Sequence, residues 1–411
     1  MTRTPESYLT LRDSDPYPFY RQELDADNDV YWDQGMKAFM ILDHEGCAKV
    51  QRDENLFGHP YWDLPGAVEV QGGARQLMML HGAEHTRVHR FMMKHFTPRM
   101  SQIYVERYVT PLSLRLIEKF SSKGHGNLVE DFCDSLPPYV ICLLLGVSID
   151  DEEVLANCKH WNDDIMRWSE TFGQDPEILQ DALSSAKNLA DVLLPIIRDR
   201  KENPQDDFIS ALWQGGVELL PDWNENDVLA QARVLLFAGS ETTTHLIRNA
   251  LYVLLNMPEL KQELFENSEL VSPFIEEVLR MYGVIHFRIR TATEDTEVGG
   301  CPVMKGDRVH PVIAAANRDA EVFENPDEFR IDRDNVRDHL AFGLGPRMCI
   351  GANLARAEAV EAIKLILVHL PDLRWDSTPG TPKSELRGHM PRSYTPLFAQ
   401  WTPTTAKAGS L

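Results

Sequence analysis

At 411 residues the chain is long enough for a large buried core, and 43% hydrophobic with 25% charged residues is the composition of a soluble globular protein. A net charge of −22 argues against nucleic-acid binding, because neutralising phosphates needs a basic surface. The longest apolar stretch, Tyr139–Val147, is far short of a membrane span, and the polar start Met1–Tyr20 shows no secretory signal.

In chain order, strand-like runs come first, at Val30–Trp32 and Ala38–Leu42, followed by a short helical pattern at Glu45–Arg52. Gly58–Gly82 is rich in loop residues. From about Glu84 to Leu370 apolar residues recur every three or four positions, which predicts helices over Val105–Phe120, Val129–Leu145, Ala182–Arg198 and Asp227–Asn256. Phe287–Val312 alternates around a Gly299–Gly300 turn, and a last strand-like patch lies near Tyr394–Trp401. The predicted class is mainly α with small β-sheets. No composition break divides it, so residues 1–411 read as one domain. The six cysteines, at 47, 133, 142, 158, 301 and 349, form no Cys-x-x-Cys pair and read as reduced cytosolic thiols.

Three local patterns carry chemistry. His81, His85 and His89 recur every four residues, as metal ligands on one helix face do, but the glutamate that a zinc-protease motif needs after the first histidine is missing. The helix predicted from an Asn226 cap to about Met257 carries a polar middle, Ala238-Gly239-Ser240-Glu241-Thr242-Thr243-Thr244. Glycine and threonine are weak interior helix residues, and hydroxyls bonding back one turn bend a helix. That turn is either a solvent-facing stripe or a polar niche with an acid and an alcohol beside it; periodicity leaves both open. The third pattern is Phe342-Gly343-Leu344-Gly345-Pro346-Arg347-Met348-Cys349-Ile350-Gly351, directly ahead of a helical repeat. Cys349 at a helix start is favoured as thiolate, because unpaired N–H groups and the helix dipole stabilise an anion there. By itself the cysteine can be a buried small side chain, a nucleophile or a soft metal ligand.

This decapeptide resembles the haem-binding loop of the cytochromes P450. Glu277-Val278-Leu279-Arg280 is similar to that family's Glu-x-x-Arg, Ala238–Thr242 to its oxygen-activating turn, and Pro326-Asp327-Glu328-Phe329 with Arg333 to its meander. The resemblance implies a P450 fold, a helical bundle around a buried haem b with a β-rich region, of the soluble bacterial type. Cys349 is then the thiolate on iron, with Phe342 against the macrocycle and Gly351 allowing close approach. Glu277, Arg280 and Arg333 form a structural triad, and Thr242 with Glu241 delivers protons during oxygen activation. Arg290, Arg347 and His85 become partners of the haem propionates. His89 stands where the family usually has arginine, so it becomes the fourth partner. The proline-rich turn usual after the Glu-x-x-Arg helix is also replaced, by Met281–His286.

The same resemblance implies that Trp62, Leu64, Val68, Leu77 and Met78, then Leu235, Ala238 and Gly239, then Ile285 and Phe287, and finally Tyr394 face the substrate. These are mostly apolar, which suits a terpenoid or small aromatic better than a large polar macrolide, while Arg288 or His286 could take a carboxylate. Arg87, Arg90, Lys94 and Arg99 form a basic patch suited to an acidic ferredoxin, which with its reductase supplies electrons. The implied activity is a cytoplasmic monooxygenase using O2, with no nucleic-acid or membrane partner. The rival readings are a non-catalytic haem sensor and a hydrolase with Cys349 as nucleophile.

Overall fold

The computed structural model describes residues 7–11, 15–59, 64–171, 173–388 and 391–404. They group into two compact units, each built from separate stretches of chain: 1–60, 245–349 and 373–400 in one, 61–244, 350–372 and 401–411 in the other. Because the stretches interleave, no single break in composition could separate them.

The first unit is organised by a five-stranded sheet. Val30–Asp33 pairs antiparallel with Ala38–Ile41, which pairs parallel with Arg308–Pro311; Arg290–Ala292 and Phe57–Gly58 complete it in that order. Successive strand residues point to opposite faces. Accordingly Tyr31, Met40 and Leu42 join one apolar cluster with Tyr8, Phe19 and Phe287, while Val30, Ile41, Phe57 and Val309 join another that reaches Leu340. The strands predicted at 30–32 and 38–42 are thus present within a residue. The Gly299–Gly300 turn joins Thr296–Val298 to Cys301–Val303, and both glycines have positive φ (+55° and +76°), the twist a two-residue hairpin prefers. The helix predicted at 45–52 runs His44–Arg52, started by Asp43, whose carboxylate accepts the Gly46 N–H.

The second unit is helical. The predicted Ala182–Arg198 segment is the middle of Pro176–Glu202, which packs along Glu152–Glu170. In Val105–Phe120 and Val129–Leu145 the first turn is widened, at Val105–Val109 and Val129–Cys133, before regular helix at Thr110–Phe120 and Leu136–Leu144. The long helix runs Glu225–Asn256, so Asn226 is not its cap. Asn224 is: its Oδ1 accepts the Asn226 N–H at 3.0 Å, and Asp227 Oδ2 accepts the Asn224 N–H at 2.9 Å, a reciprocal box that satisfies two orphan donors. Among the described residues no helix is long and apolar enough to cross a membrane.

Candidate functional site

The loop to Cys349 is built against the His44–Arg52 helix. Gly343 and Gly345 both adopt φ +71°. A Cβ on Gly345 would stand 2.9 Å from Arg52 Cα and Gln51 O, so only glycine lets the two backbones approach this closely. The Cys349 N–H donates to Phe342 O at 2.8 Å, closing the loop and leaving the thiol half-buried three residues ahead of the helix Ala352–His369, with Gly351 at its N-cap.

Three guanidinium groups gather beside this loop. Arg290 is 6% exposed, in the strand Arg290–Ala292, and donates to Ile289 O at 2.8 Å. Burial, and then the charges of Arg288 and Arg347, push it down to about 10, with Glu54 acting the other way. Arg347 Nε and Nη2 reach Glu54 Oε1 at 2.9 and 2.6 Å, and Arg288 donates to Ala341 O at 3.3 Å. Three guanidinium groups standing together suit an anionic group such as a propionate. Glu54 was invisible in the sequence: it lies 293 residues from its partner, and no local pattern marks it.

The expected triad comes together. Glu277 and the Arg280 side chain are wholly buried, bonded by Arg280 Nε to Oε2 and Nη2 to Oε1, both at 2.7 Å. Arg333 Nε reaches Glu277 Oε1 at 3.0 Å, and the Arg330 N–H reaches the same oxygen at 2.9 Å. The remaining guanidinium donors end on carbonyl oxygens, including Asn317, Pro326 and Glu328. Sequence reading missed the neighbouring brace: Glu276 Oε2 lies 3.1 Å from His339 Nε2, and His339 Nδ1 accepts the Ala341 N–H at 3.3 Å, so the ring orients the chain entering the cysteine loop.

In the second unit the polar turn leaves the long helix unbroken. Thr242 Oγ1 donates back to Ala238 O at 2.8 Å, while Ser240, Thr243 and Thr244 are buried, so only part of the polar turn is accessible. Residues 227–237 and 243–247 are buried without exception, yet between them Ala238 is exposed and Gly239, Glu241 and Thr242 are half-exposed. A Cβ on Gly239 would meet Ile141 Cδ1 at 2.8 Å. Burial, and then the charge of neighbouring Glu241, push the Asp163 carboxyl up to about 6; Lys159 Nζ, 2.7 Å from Asp163 Oδ2, pulls it the other way. Asp163 and Lys159, one turn apart on Glu152–Glu170, extend the acid–alcohol pair and carried no signal in the sequence beyond their i,i+4 spacing. His85 is buried on the helix Gly82–His95, its ring centroid 5.3 Å from that of half-exposed His89. Among the described residues no group of three His, Cys, Asp or Glu side chains is arranged to hold a metal ion.

Several substrate-facing assignments change. Phe287 is fully buried, stacked on His310 with centroids 5.2 Å apart and edge-on to Tyr8 at 4.9 Å, so it is core. His286 is buried against the Tyr17 ring, and Arg288 belongs with Arg290 and Arg347, so neither stands open for a substrate carboxylate. Tyr394 lies flat on Tyr252, centroids 3.5 Å apart at 3°, which commits its face to packing. Leu77 and Leu235 are buried; Leu64, Met78 and Ile285 are half-buried; Val68 is exposed; Trp62 lies outside the described residues. Arg87, Arg90, Lys94 and Arg99 are all exposed, and none pairs with a carboxylate among the described residues.

The cysteine loop and the buried Glu277–Arg280–Arg333 triad in a mainly helical fold point together to the haem-thiolate class of proteins. The family model for cytochrome P450 matches residues 29–383. The biotin biosynthesis cytochrome P450 of Bacillus subtilis (strain 168) is 30% identical over 363 residues, covering 87% of this chain and 90% of its own length. Mycinamicin IV hydroxylase/epoxidase of Micromonospora griseorubida is 33% identical over 322 residues, covering 77% and 76%. The crystal structure of CYP109E1 from Bacillus megaterium in complex with testosterone superposes with TM-score 0.82 at 26% identity, covering 94% of this chain and 99% of that one. The chain belongs to the cytochrome P450 family: it is a monooxygenase whose cofactor is haem b bound through a cysteine thiolate. That membership overturns the hydrolase and non-catalytic sensor readings.

Proposed function

We propose that Cys349 is the thiolate ligand, and that the enzyme hydroxylates a small to medium hydrophobic molecule, a terpenoid or aromatic compound, in a single P450 domain spanning 1–411 in the cytoplasm. One family model running through stretches of both units supports the single domain. The observation that carries the ligand assignment is the loop itself: a half-buried thiol held by the Cys349–Phe342 hydrogen bond, next to a helix start and to neighbouring guanidinium groups. The donor set fits haem b, with Arg290, Arg347, His85 and His89 as hydrogen-bond or ionic partners of the propionates, and Phe342 and Gly351 at the macrocycle. When bound, the haem supplies the activation of dioxygen, favoured by electron donation from the thiolate.

The chain's own residues then supply protons and exclude water. Thr242 carries a hydroxyl held by Ala238 O, and Glu241 passes protons to it from Asp163, whose carboxyl is pushed up to about 6. Leu64, Leu77, Met78, Leu235, Ala238, Gly239 and Ile285 offer mostly apolar surface, which favours a hydrophobic substrate. Of the relatives, one is named for biotin biosynthesis and another was crystallised with testosterone; both names concern carbon-rich molecules. The exposed patch Arg87, Arg90, Lys94 and Arg99 on a strongly acidic chain suits an acidic ferredoxin, which receives its electrons from a reductase.

The test is the absorbance of the reduced, carbon-monoxide-bound protein. Wild type shows the thiolate band, and Cys349→Ala loses both band and turnover. A Cys349→Ala protein that kept its band would remove the ligand assignment. Charge reversal at Arg90 and Lys94 lowers the rate of reduction by ferredoxin, with the loss shrinking at high salt; an unchanged rate would move the docking face elsewhere.

A further inference from the structure

The stretch from Leu64 to Leu80 is mostly irregular, with one short helix at Ala67–Gln71, yet side chains of the long helix answer its backbone. Gln231, fully buried, accepts the Leu77 N–H at 3.1 Å and donates to Arg75 O at 2.7 Å. One turn earlier, buried Asp227 takes the Arg75 guanidinium at 3.2 Å. Arg233, 5% exposed, donates to Val70 O and, at 3.4 Å, to Glu69 O, the C-terminal end of the short helix. No carboxylate pairs with it among the described residues. Gly72 makes room for it: a Cβ there would stand 2.8 Å from Arg233 Cδ, and φ is +89°. Inside the segment Gln76, also fully buried, donates to Gln71 Oε1 at 2.8 Å and accepts the Met78 N–H at 2.9 Å.

Polar side chains are expensive at buried helix positions unless each is bonded, and here the bonds run into one loop. Asp227, Gln231, Leu235, Ala238 and Thr242 follow at spacings of three and four, so they share a helix face. At 1.5 Å per residue, Gln231 lies only about 10 Å along the axis from Ala238. The anchor and the acid–alcohol turn are therefore two stretches of one stripe.

We propose that Gln231 and Arg233 are positioning residues for substrate selection: without touching substrate, they hold residues 69–78 on the long helix and so fix Leu77 and Met78 relative to the Ala238–Thr242 turn. Selection by these residues rests on the haem-thiolate reading above; the clasp itself does not. Two readouts separate them. Amide hydrogen exchange across residues 72–80 reports the clasp with no ligand added. The ratio of 4-phenylimidazole to imidazole affinity, read from haem absorbance in the holoenzyme, reports the shape of the wall, because both azoles bind iron and only one needs room for a ring.

Gln231→Leu is expected to speed exchange across 72–80 by about tenfold or more and to change the azole ratio about fivefold or more, at an unchanged carbon monoxide spectrum. Arg233→Met acts in the same direction. Gln231→Glu keeps the acceptor for Leu77 and restores much of the protection. Unchanged exchange in Gln231→Leu overturns the clasp, and faster exchange with an unchanged azole ratio overturns selection by it. Should Gln231→Leu fail to fold, Gln76→Leu removes the Met78 acceptor from within the loop, and the same two readouts decide. A wild-type protein without the thiolate spectrum would sink the haem assignment while leaving the exchange result standing.

Discussion

Removing the Glu277 carboxylate is the sharpest single perturbation of this fold. If Glu277 and Arg280 were an ordinary surface i,i+3 pair, Glu277→Ala would cost about 0.2–0.5 kcal/mol. The structure puts it in the other regime. Neither side chain is exposed, Arg333 is 3% exposed, and the carboxylate accepts four hydrogen bonds. Burial pulls the Arg280 guanidinium below its ordinary value even with Glu277 bonded to it, so desolvation outweighs the pairing. Truncating Glu277 leaves two buried cations with only carbonyl oxygens as partners, a loss of about 3–5 kcal/mol. Against a typical total of about 5–15 kcal/mol this is a third or more of the stability. Urea unfolding followed by circular dichroism measures it. The double variant Glu277→Ala/Arg280→Met removes one uncompensated charge and should recover a substantial part of the loss. A Glu277→Ala cost below about 1 kcal/mol at unchanged m-value would refute the argument, because it would mean that water reaches the triad.

Other consequences follow from the same geometry. Glu358, on the helix Ala352–His369, is buried with no partner at Oε1 among the described residues, and burial pushes its carboxyl up to about 8. Between the unfolded value near 4.5 and about 8 the folded state holds the extra proton, so stability is full below that window and falls as pH rises through it, by about 1.4 kcal/mol per pH unit; Glu358→Gln should flatten this slope and be more stable than wild type at pH 8 in unfolding titrations. Gly345→Ala should lose about 1–3 kcal/mol and retain haem poorly on gel filtration, because its φ of +71° and the 2.9 Å approach to Arg52 and Gln51 both exclude a side chain; full haem occupancy at unchanged stability would mean that the loop relaxes freely. Thr242→Ala should lower product formed per NADH by about 10²-fold while the carbon monoxide spectrum stays intact. Asp163→Asn should abolish the step in turnover near pH 6, and a profile identical to wild type would remove Asp163 from the proton path.

What could be read before folding was whatever a short stretch of chain carries whole. The ten residues Phe342–Gly351 specify their own loop, because the glycines that allow it and the cysteine it presents are neighbours. The Glu277–Arg280 spacing likewise puts both groups on one helical turn, and short apolar runs located the strands at 30 and 38. The ionic partners of Arg347 and Glu241 had no such local trace. Glu54 and Asp163 are unremarkable carboxylates until the fold brings the first to 2.6 Å from Arg347 and the second within electrostatic reach of Glu241. Nor could apolarity distinguish a wall from a core: Phe287, assigned to the substrate by the resemblance, is packed between His310 and Tyr8, while Ala238, the least conspicuous of the set, is exposed between buried stretches of its helix. Sequence determines which chemistry is available and which turns can present it, since those are properties of adjacent residues. Which face a side chain meets, and what charge stands opposite it, is decided only when distant segments compete for the same space.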